Sequence, residues 1–149
     1  MQLSTKARYA TRAMIELAFN YGKGPMQLKE IARRQDISEK YLEQVLFPLR
    51  TKGYIYTQKG SRGGYSLSMA PEEITLYDII QTVEGSLAPV ACVDNAGACN
   101  RVDICVTRDV WSRLKNIVIQ ELKSINLADL VVEQERKKKE SGSNIMYQI

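Results

Sequence analysis

Apolar residues recur at intervals of three and four positions near the start of the chain, which predicts an amphipathic helix there. This helix begins after Ser4, a residue preferred at helix N-caps, and runs to about Asn20. Gly22, Gly24 and Pro25 then interrupt the pattern. The pattern therefore predicts a helix with one face turned toward a hydrophobic core, followed by a turn.

Two shorter helices come next, separated by a brief turn. The first spans residues 27–35, and the second starts after Ser38, another N-cap residue, and ends at Gly53. The apolar Ile37 lies inside the turn between them. Two helices joined in this way are typical of a helix-turn-helix, whose second helix enters the major groove of DNA.

A period of two replaces the helical period at residues 54–58 and again at residues 65–69. The turn-forming residues KGSRGG lie between these two runs, which predicts a β-hairpin. A hairpin directly after a helix-turn-helix is a wing. The predicted fold class is therefore mainly α (α+β), with a winged helix-turn-helix DNA-binding domain.

Helical spacing returns in the second half of the chain. Residues 75–84 form one predicted helix, and a last helix runs over residues 127–139. Between them, a helix that is long for the few partners left in the chain carries Val110, Leu114, Ile117, Val118, Leu122 and Ile125. The predicted organisation is a DNA-binding domain at 1–84, a cysteine loop at 85–107, helices at 108–139 and a mobile tail at 140–149.

Positive charge is concentrated in the predicted DNA-binding half. Residues 1–70 hold 12 Lys and Arg against 5 Asp and Glu, a balance of +7, whereas the remainder has a balance of −3. Such an excess is typical of a surface that binds a polyanion. Charge alone leaves an ordinary solvated surface open as the alternative.

The first turns of the helix that starts after Ser38 place four candidate DNA contacts together. Glu43 can accept a hydrogen bond from cytosine, and Gln44 can pair with adenine. Ser38 and Tyr41 can bond to phosphates or base edges. This segment is therefore predicted to contact double-stranded DNA.

The wing supplies three further candidates. Arg62 at the hairpin tip can enter the minor groove, whose negative potential attracts guanidinium groups. Lys59 can neutralise a phosphate. Gly63 allows close backbone approach, although an ordinary hairpin turn requires glycine equally.

The chain contains no histidine, and so it lacks the commonest general base of enzymes. No apolar run is long enough to span a membrane, and the N-terminus does not resemble a signal peptide. We therefore expect a cytoplasmic protein with no membrane partner and reduced thiols, and not an enzyme.

Three cysteines, Cys92, Cys99 and Cys105, lie in one segment with the pattern C-x6-C-x5-C. These spacings are wider than the CxxC pairs of structural zinc sites. Three thiolates with one outside ligand can hold an iron–sulfur cluster, and three thiolates with a carboxylate can hold zinc. Cysteines without a metal role are an equal alternative, since free cysteine often behaves as a small buried hydrophobe.

Four stretches together resemble one protein family: LSTKARYATRAMIELA, YLEQVLFPLRTKGYI, the GSRGGYSL wing, and the cysteine loop leading into a Trp-bearing helix. The chain is similar over residues 2–135 to the bacterial winged-helix regulators of the IscR and NsrR group, an iron–sulfur cluster-binding Rrf-type family. Within that group it is most similar to the iron–sulfur biogenesis regulators.

The resemblance implies a ligand set, DNA contacts and a partner. It implies that Cys92, Cys99 and Cys105 bind a cluster, with [2Fe–2S] favoured over [4Fe–4S]. It implies DNA contacts from the segment 38–44 and from Arg62. It also implies a homodimer, in which the long helix is a dimerisation helix through the six apolar residues named above.

One departure from the family pattern concerns the fourth cluster ligand. In the iron–sulfur biogenesis regulators a histidine after the third cysteine completes the cluster, and here Arg108 stands at that place. The nitric-oxide-sensing branch can use an acidic residue near the N-terminus, where this chain has Arg8. The fourth ligand is therefore open, with Asp94, Asp103 and Asp109 nearby.

These features predict a homodimeric transcription regulator, a repressor, that senses iron–sulfur cluster status and binds a palindromic operator. One alternative is a nitric-oxide-sensing or redox-sensing repressor on the same scaffold. The other is a thiol or zinc switch that holds no cluster.

Overall fold

The computed structural model describes residues 2–147, with their side chains as far as Gly142. Over these residues the chain forms helices and one two-stranded antiparallel sheet. Single 3-10 turns occur at Pro71–Glu73 and Ala96–Ala98. In chain order the elements are α1 (Thr5–Phe19), α2 (Leu28–Gln35), α3 (Glu39–Thr51), β1 (Ile55–Gln58), β2 (Gly64–Leu67), α4 (Leu76–Glu84), α5 (Ala91–Asp94), α6 (Val106–Lys123) and α7 (Leu127–Tyr147).

Side-chain caps determine where three of these helices begin. Ser4 and Ser38 each accept a hydrogen bond from the backbone amide three residues further on, at 3.0 Å and 3.1 Å. Thr75 accepts the amide of Asp78 at 3.1 Å, while the Asp78 carboxylate accepts the amide of Thr75 at 2.8 Å. Each cap satisfies amides that the first turn of a helix leaves without partners. The predicted N-caps at Ser4 and Ser38 are confirmed.

The helix-turn-helix prediction is also confirmed. Asp36 ends α2 in the left-handed conformation, with φ of 53°. This reverses the chain, and the amide of Ile37 bonds to the carbonyl of Ala32 at 3.1 Å. Ile37 packs against the core from within the turn. The turn thereby fixes α3 relative to α2.

One hydrophobic core is formed by the four helices α1, α2, α3 and α4, the hairpin and the start of α7. The three-residue and four-residue spacing seen in the sequence turns one side of each helix inward. The side chains at its centre are fully buried: Met14, Leu17, Ile31, Leu42, Leu46, Leu49, Ile55, Ile79 and Leu127. The mainly helical winged-helix fold is as predicted.

The hairpin pairs Ile55 with Leu67 and Gln58 with Gly64. A third piece of backbone extends it, because Met26 and Tyr65 exchange two backbone hydrogen bonds of 2.9 Å and 2.8 Å. The wing is therefore attached to the segment that leads into α2.

The chain leaves this core after α4 and returns to it at α7. In residues 85–126, all of which the structure describes, no residue is buried. The return is fixed by backbone hydrogen bonds from Leu76 to the carbonyl of Ile125 at 2.8 Å and from Leu127 to the carbonyl of Ile74 at 2.9 Å. The segment between is consequently held at both ends by the core.

Two predicted helix boundaries differ from the structure. Helix α6 begins at Val106, two residues before the predicted boundary, and Asp109 in its first turn interacts favourably with the helix dipole. Helix α7 continues past Lys139 to Tyr147. Arg136 pairs with Glu133 and, at 2.6 Å, with Glu140, so ion pairs one turn apart support the helix across the predicted end. The last two residues of the predicted tail, 148–149, lie outside the described residues.

Candidate DNA interface and cysteine segment

The first turns of α3 carry the candidate contacts of the helix-turn-helix. Glu43 and Gln44 are exposed on this helix. Ser38 is exposed, and its hydroxyl oxygen already caps the helix. Tyr41 is half-buried, and its ring meets the ring of Tyr9 edge to face, with centroids 5.9 Å apart. Glu43 and Gln44 are therefore the side chains of this group most available to a DNA base.

The wing presents Lys59 and Arg62 to solvent. Gly63 is buried instead, and a Cβ there would lie 2.1 Å from the carbonyl oxygen of Gln58. At Gly64 a Cβ would lie 2.3 Å from the carbonyl oxygen of Met26. Close backbone packing thus requires both glycines, and the contact of Gly63 with DNA stays a prediction.

The position of the wing depends on contacts that the sequence pattern did not reveal. Besides the Met26–Tyr65 pairing, the side chain of Gln27 donates a hydrogen bond to the carbonyl of Ser61 at 3.0 Å. Burial raises the pKa of the Tyr65 hydroxyl, and the neighbouring Glu43 carboxylate raises it further. The recognition helix and the base of the wing therefore lie close together.

A polar network joins α1 to α2. The buried Glu16 accepts hydrogen bonds from Gln35 at 2.9 Å and from Arg34 at 3.2 Å. Hydrogen bonds from Arg33, and next from Arg34, lower the pKa of Glu30 to about 2. The sequence signal for this network was Glu16, an acid inside an apolar run. The Oε1 atom of Gln35 is buried without a hydrogen-bond partner among the described residues.

The cysteines occupy three different settings along the segment. Cys92 lies half-buried in α5, and Cys99 is exposed after the second 3-10 turn. Cys105 is the N-cap residue of α6, with its sulfur 3.1 Å from the hydroxyl of Thr107. The hydrogen bond with Thr107, together with the backbone amide of Arg108, lowers the pKa of the Cys105 thiol. Thiolates are the form that binds metals.

Polar contacts attach the cysteine segment to α6. The Nε of Arg108 donates to the carbonyl of Cys92 at 2.9 Å. Lys115 forms an ion pair with Asp94 at 2.7 Å, and the hydroxyl of Ser86 donates to the same carboxylate. The hydrogen bond from Lys115, followed by that from Ser86, lowers the pKa of Asp94. Asp94 is therefore already engaged, whereas Asp103 and Asp109 form no ion pair with the described side chains.

The donor set can be compared with the requirements of a cluster. The three cysteines form no disulfide, and three thiols are suitable ligands for iron–sulfur clusters. Nevertheless, over the described residues no three Cys, Asp or Glu side chains are gathered closely enough to hold a metal ion. The residues fit a cluster chemically, but the described conformation does not gather them as ligands of a single metal ion.

Helix α6 exposes three of the six predicted dimerisation residues. Val110, Leu114 and Ile117 are 41%, 38% and 64% exposed, and Val118 and Leu122 are half-buried. Ile125 lies beyond the end of α6, in the junction with α4. An apolar face of this kind is unusual on the surface of a single chain.

Over residues 2–147, every helix is too short or too polar to cross a membrane.

Comparison with known proteins identifies a family. Residues 3–133 match Rrf2, described as an iron-dependent transcriptional regulator. The transcriptional regulator CymR of Bacillus subtilis (strain 168) is 40% identical over 130 residues, which are 87% of this chain and 89% of CymR.

Two solved structures support the same relationship. The global cysteine regulator CymR of B. subtilis superposes with a TM-score of 0.75 at 38% identity, covering 89% of this chain and 98% of that one. IscR of T. potens superposes with a TM-score of 0.76 at 37% identity, covering 92% and 90%. These relatives are named as transcriptional regulators and not as enzymes. The chain therefore belongs to the Rrf2 family of transcriptional regulators and is related to IscR.

Proposed function

We propose that this protein is a homodimeric DNA-binding repressor of the cytoplasm that senses iron–sulfur cluster status through Cys92, Cys99 and Cys105. The observation that carries the proposal is the position of these thiols. They lie in a segment without buried residues. The core that carries α3 and the wing precedes this segment, and the exposed apolar face of α6 follows it. A change at the thiols is thus placed to act on both neighbours. Membership of an iron-dependent family supports it.

The three cysteines would hold the cluster, with [2Fe–2S] favoured over [4Fe–4S] and the fourth ligand open. When bound, a cluster supplies sensitivity to iron and oxidants. The contribution of this chain is to hold the segment near α6 through Arg108 and Lys115. Since these contacts involve the Cys92 carbonyl and Asp94, gathering the thiols would alter how the segment rests on α6.

The test of the cluster is anaerobic reconstitution with ferrous iron and sulfide. The wild-type chain should develop visible charge-transfer absorption and retain iron and sulfide, whereas a variant with all three cysteines replaced by serine should not. The spectrum also distinguishes the two cluster types. A wild-type protein that stays colourless and free of iron would contradict the proposal.

The DNA contacts are tested by gel shift on duplexes selected from a random pool by the wild-type protein. Arg62→Ala should weaken binding to all duplexes alike, because a guanidinium in the minor groove acts mainly through charge. Glu43→Ala should relax the base preference at one position in each half-site of the palindrome. If Glu43→Ala weakens binding to every duplex sequence equally, Glu43 does not contact a base.

The homodimer is tested on α6. Ile117→Asp should shift the sedimentation coefficient from dimer to monomer, because a carboxylate would enter an apolar interface. Asn116→Asp is the matched control, since it adds the same charge at the neighbouring exposed position. If both variants sediment like the wild type, the interface does not include this face.

A thiol switch without a cluster is the second candidate, favoured by one observation. In the described conformation the three cysteines are separate and free, and Cys99 is exposed. Metal analysis of anaerobically purified protein separates this candidate from the first, because a thiol switch contains no iron. A nitric-oxide sensor on the same scaffold would be recognised by loss of cluster absorption when nitric oxide is added.

A further inference from the structure

Two tyrosines connect the recognition helix to an arginine of α1. The ring of Tyr41, in the first turn of α3, meets the ring of Tyr9 edge to face, with an angle of 89° between the ring planes. The guanidinium of Arg12 lies over the Tyr9 ring, 5.3 Å from its centroid. One tyrosine ring therefore separates Arg12 from Tyr41, at the end of α3 that a helix-turn-helix directs into DNA.

Arg12 is also one of the arginines whose charge is not balanced by an ion pair among the described side chains. It is exposed, and among the side chains of residues 2–142 no carboxylate forms an ion pair with it. By contrast, Arg33, Arg34 and Arg136 are all paired with glutamates. The positive charge of Arg12 is consequently not neutralised within the described part of the chain.

The tyrosine ring also prepares Arg12 for a contact. Stacking on an aromatic face restricts a long side chain, and a guanidinium stacked in this way keeps its N–H groups free to donate. A side chain that is already ordered loses less entropy when it binds. An exposed, ordered and unneutralised guanidinium is well suited to a phosphate, which it can contact through two hydrogen bonds.

We propose that Arg12 binds a backbone phosphate of duplex DNA next to the recognition helix and so fixes the position of α1 on the DNA. The inference rests on the proposed DNA-binding function. A phosphate contact of this kind orients the protein without reading a base. The Tyr9–Tyr41 contact would then transmit the position of the phosphate to the first turn of α3.

The experiment uses the full chain and a fluorescein-labelled duplex of mixed sequence, about three helical turns long so that two half-sites fit. Binding is measured over a series of salt concentrations. The slope of log K against log salt is negative, and Arg12→Gln should make it less steep by about 0.9 for each Arg12 engaged. Binding at low salt should weaken roughly tenfold, for any duplex sequence. Arg12→Lys keeps the charge and should keep the slope.

The matched control is Lys138→Gln. Lys138 also lies over an aromatic ring of α1, 5.2 Å from the centroid of Phe19. Phe19 is ten residues from Tyr9, or about 15 Å along the helix. Lys138 belongs to α7, and this variant removes one positive charge near the end of α1 that is far from Tyr9. The slope should remain that of the wild type.

The outcomes separate this inference from the function on which it rests. If wild-type protein shows no salt-dependent binding to the duplex, both fail. If the wild type binds but Arg12→Gln has the same slope, or Lys138→Gln loses as much slope as Arg12→Gln, only the phosphate contact of Arg12 is wrong. A thermal unfolding midpoint equal to that of the wild type checks that Arg12→Gln is folded.

Discussion

Two regions of the chain are stabilised in different ways. The head, residues 2–84 together with the start of α7, encloses a core of fully buried side chains such as Leu42, Leu46 and Leu127. The arm, residues 85–126, has no buried residue, and its largest apolar side chains face outward on α6. Because burial of apolar surface is the main stabilising term in folding, the head is specified by its own sequence. The arm requires a partner surface or a bound group to become equally stable.

Polar contacts hold the arm in place in the single chain. The Lys115–Asp94 ion pair is exposed, and the Arg108–Cys92 hydrogen bond is only partly buried. Exposed contacts of this type contribute little free energy each. The arm can therefore rearrange at small cost while the head keeps its structure, and this difference suits a sensor attached to a DNA reader. The predictions below compare a substitution in the head with a matched one in the arm.

The largest difference is expected for leucine truncation. Leu46→Ala should lower the free energy of unfolding by about 2–5 kcal/mol, because Leu46 is fully buried and the change leaves a cavity. Leu114→Ala, at 38% exposure on α6, should cost no more than about 1 kcal/mol in a single chain. The measurement is urea unfolding at several protein concentrations. A loss for Leu114→Ala that is as large as that for Leu46→Ala at the lowest concentration would contradict the comparison.

Glycine substitution should give the next largest difference. Gly64→Ala is expected to cost at least about 1–3 kcal/mol, because Gly64 has φ of +142° and its new Cβ would lie 2.3 Å from a carbonyl oxygen. Gly97→Ala in the arm should stay within about 0.5 kcal/mol, since its nearest contact is the side chain of Asn95 at 3.2 Å. Thermal unfolding measures both. Equal shifts in the two midpoints would mean that the arm is as tightly packed as the wing.

Much of the head was predictable because its signals are local. Ser4 and Ser38 are N-cap residues whose partners lie three positions away, and the glycines of the wing loop mark a turn. The contacts that fix the wing are not local. Gln27 reaches Ser61 across 34 positions, and nothing in a short window of sequence indicates that pairing.

The arm was less predictable for a different physical reason. The spacing of Cys92, Cys99 and Cys105 indicates which side chains can bind a metal cluster together. It does not indicate how these side chains are arranged when no cluster is bound. Periodicity did identify the stripe on α6, since helix geometry alone decides which residues share a face. The short helix α5 has too few residues to produce a periodic signal. The ion pair between Asp94 and Lys115 also could not be predicted from a sequence pattern, because the two residues are 21 positions apart.

Helix caps should show effects of opposite sign. Thr75→Ala in the head should lower the free energy of unfolding by about 1 kcal/mol, because it removes one half of a reciprocal pair of hydrogen bonds with Asp78. Cys105→Ser in the arm should raise the free energy of local opening of α6 by up to about 1 kcal/mol in the iron-free protein, because serine is a preferred N-cap residue. Urea unfolding tests Thr75→Ala, and hydrogen exchange of the first amides of α6 tests Cys105→Ser. A destabilised Cys105→Ser variant would show that the sulfur itself supports α6.

The smallest effect is electrostatic, and it depends on pH. The pKa of Glu30 is lowered from 4.5 to about 2 in the folded protein, mainly by its hydrogen bond with Arg33. A lowered folded pKa contributes stability above the unfolded value of 4.5, and that contribution is lost as the pH falls toward 2. Glu30→Gln should therefore reduce the unfolding free energy near neutral pH by less than Thr75→Ala does. The difference from the wild type should shrink between pH 4.5 and 2.

The matched change in the arm is Asp94→Asn, which removes the ion pair with Lys115. Because this pair joins the cysteine segment to α6 without contributing to a core, its loss should leave the unfolding free energy of the head unchanged. Hydrogen exchange of the amides at 86–98 should instead become faster, since local opening of the arm becomes easier. If Asp94→Asn lowers global stability and Glu30→Gln does not, then the arm and the head unfold as one cooperative unit, and the division into a self-sufficient head and a partner-dependent arm is wrong.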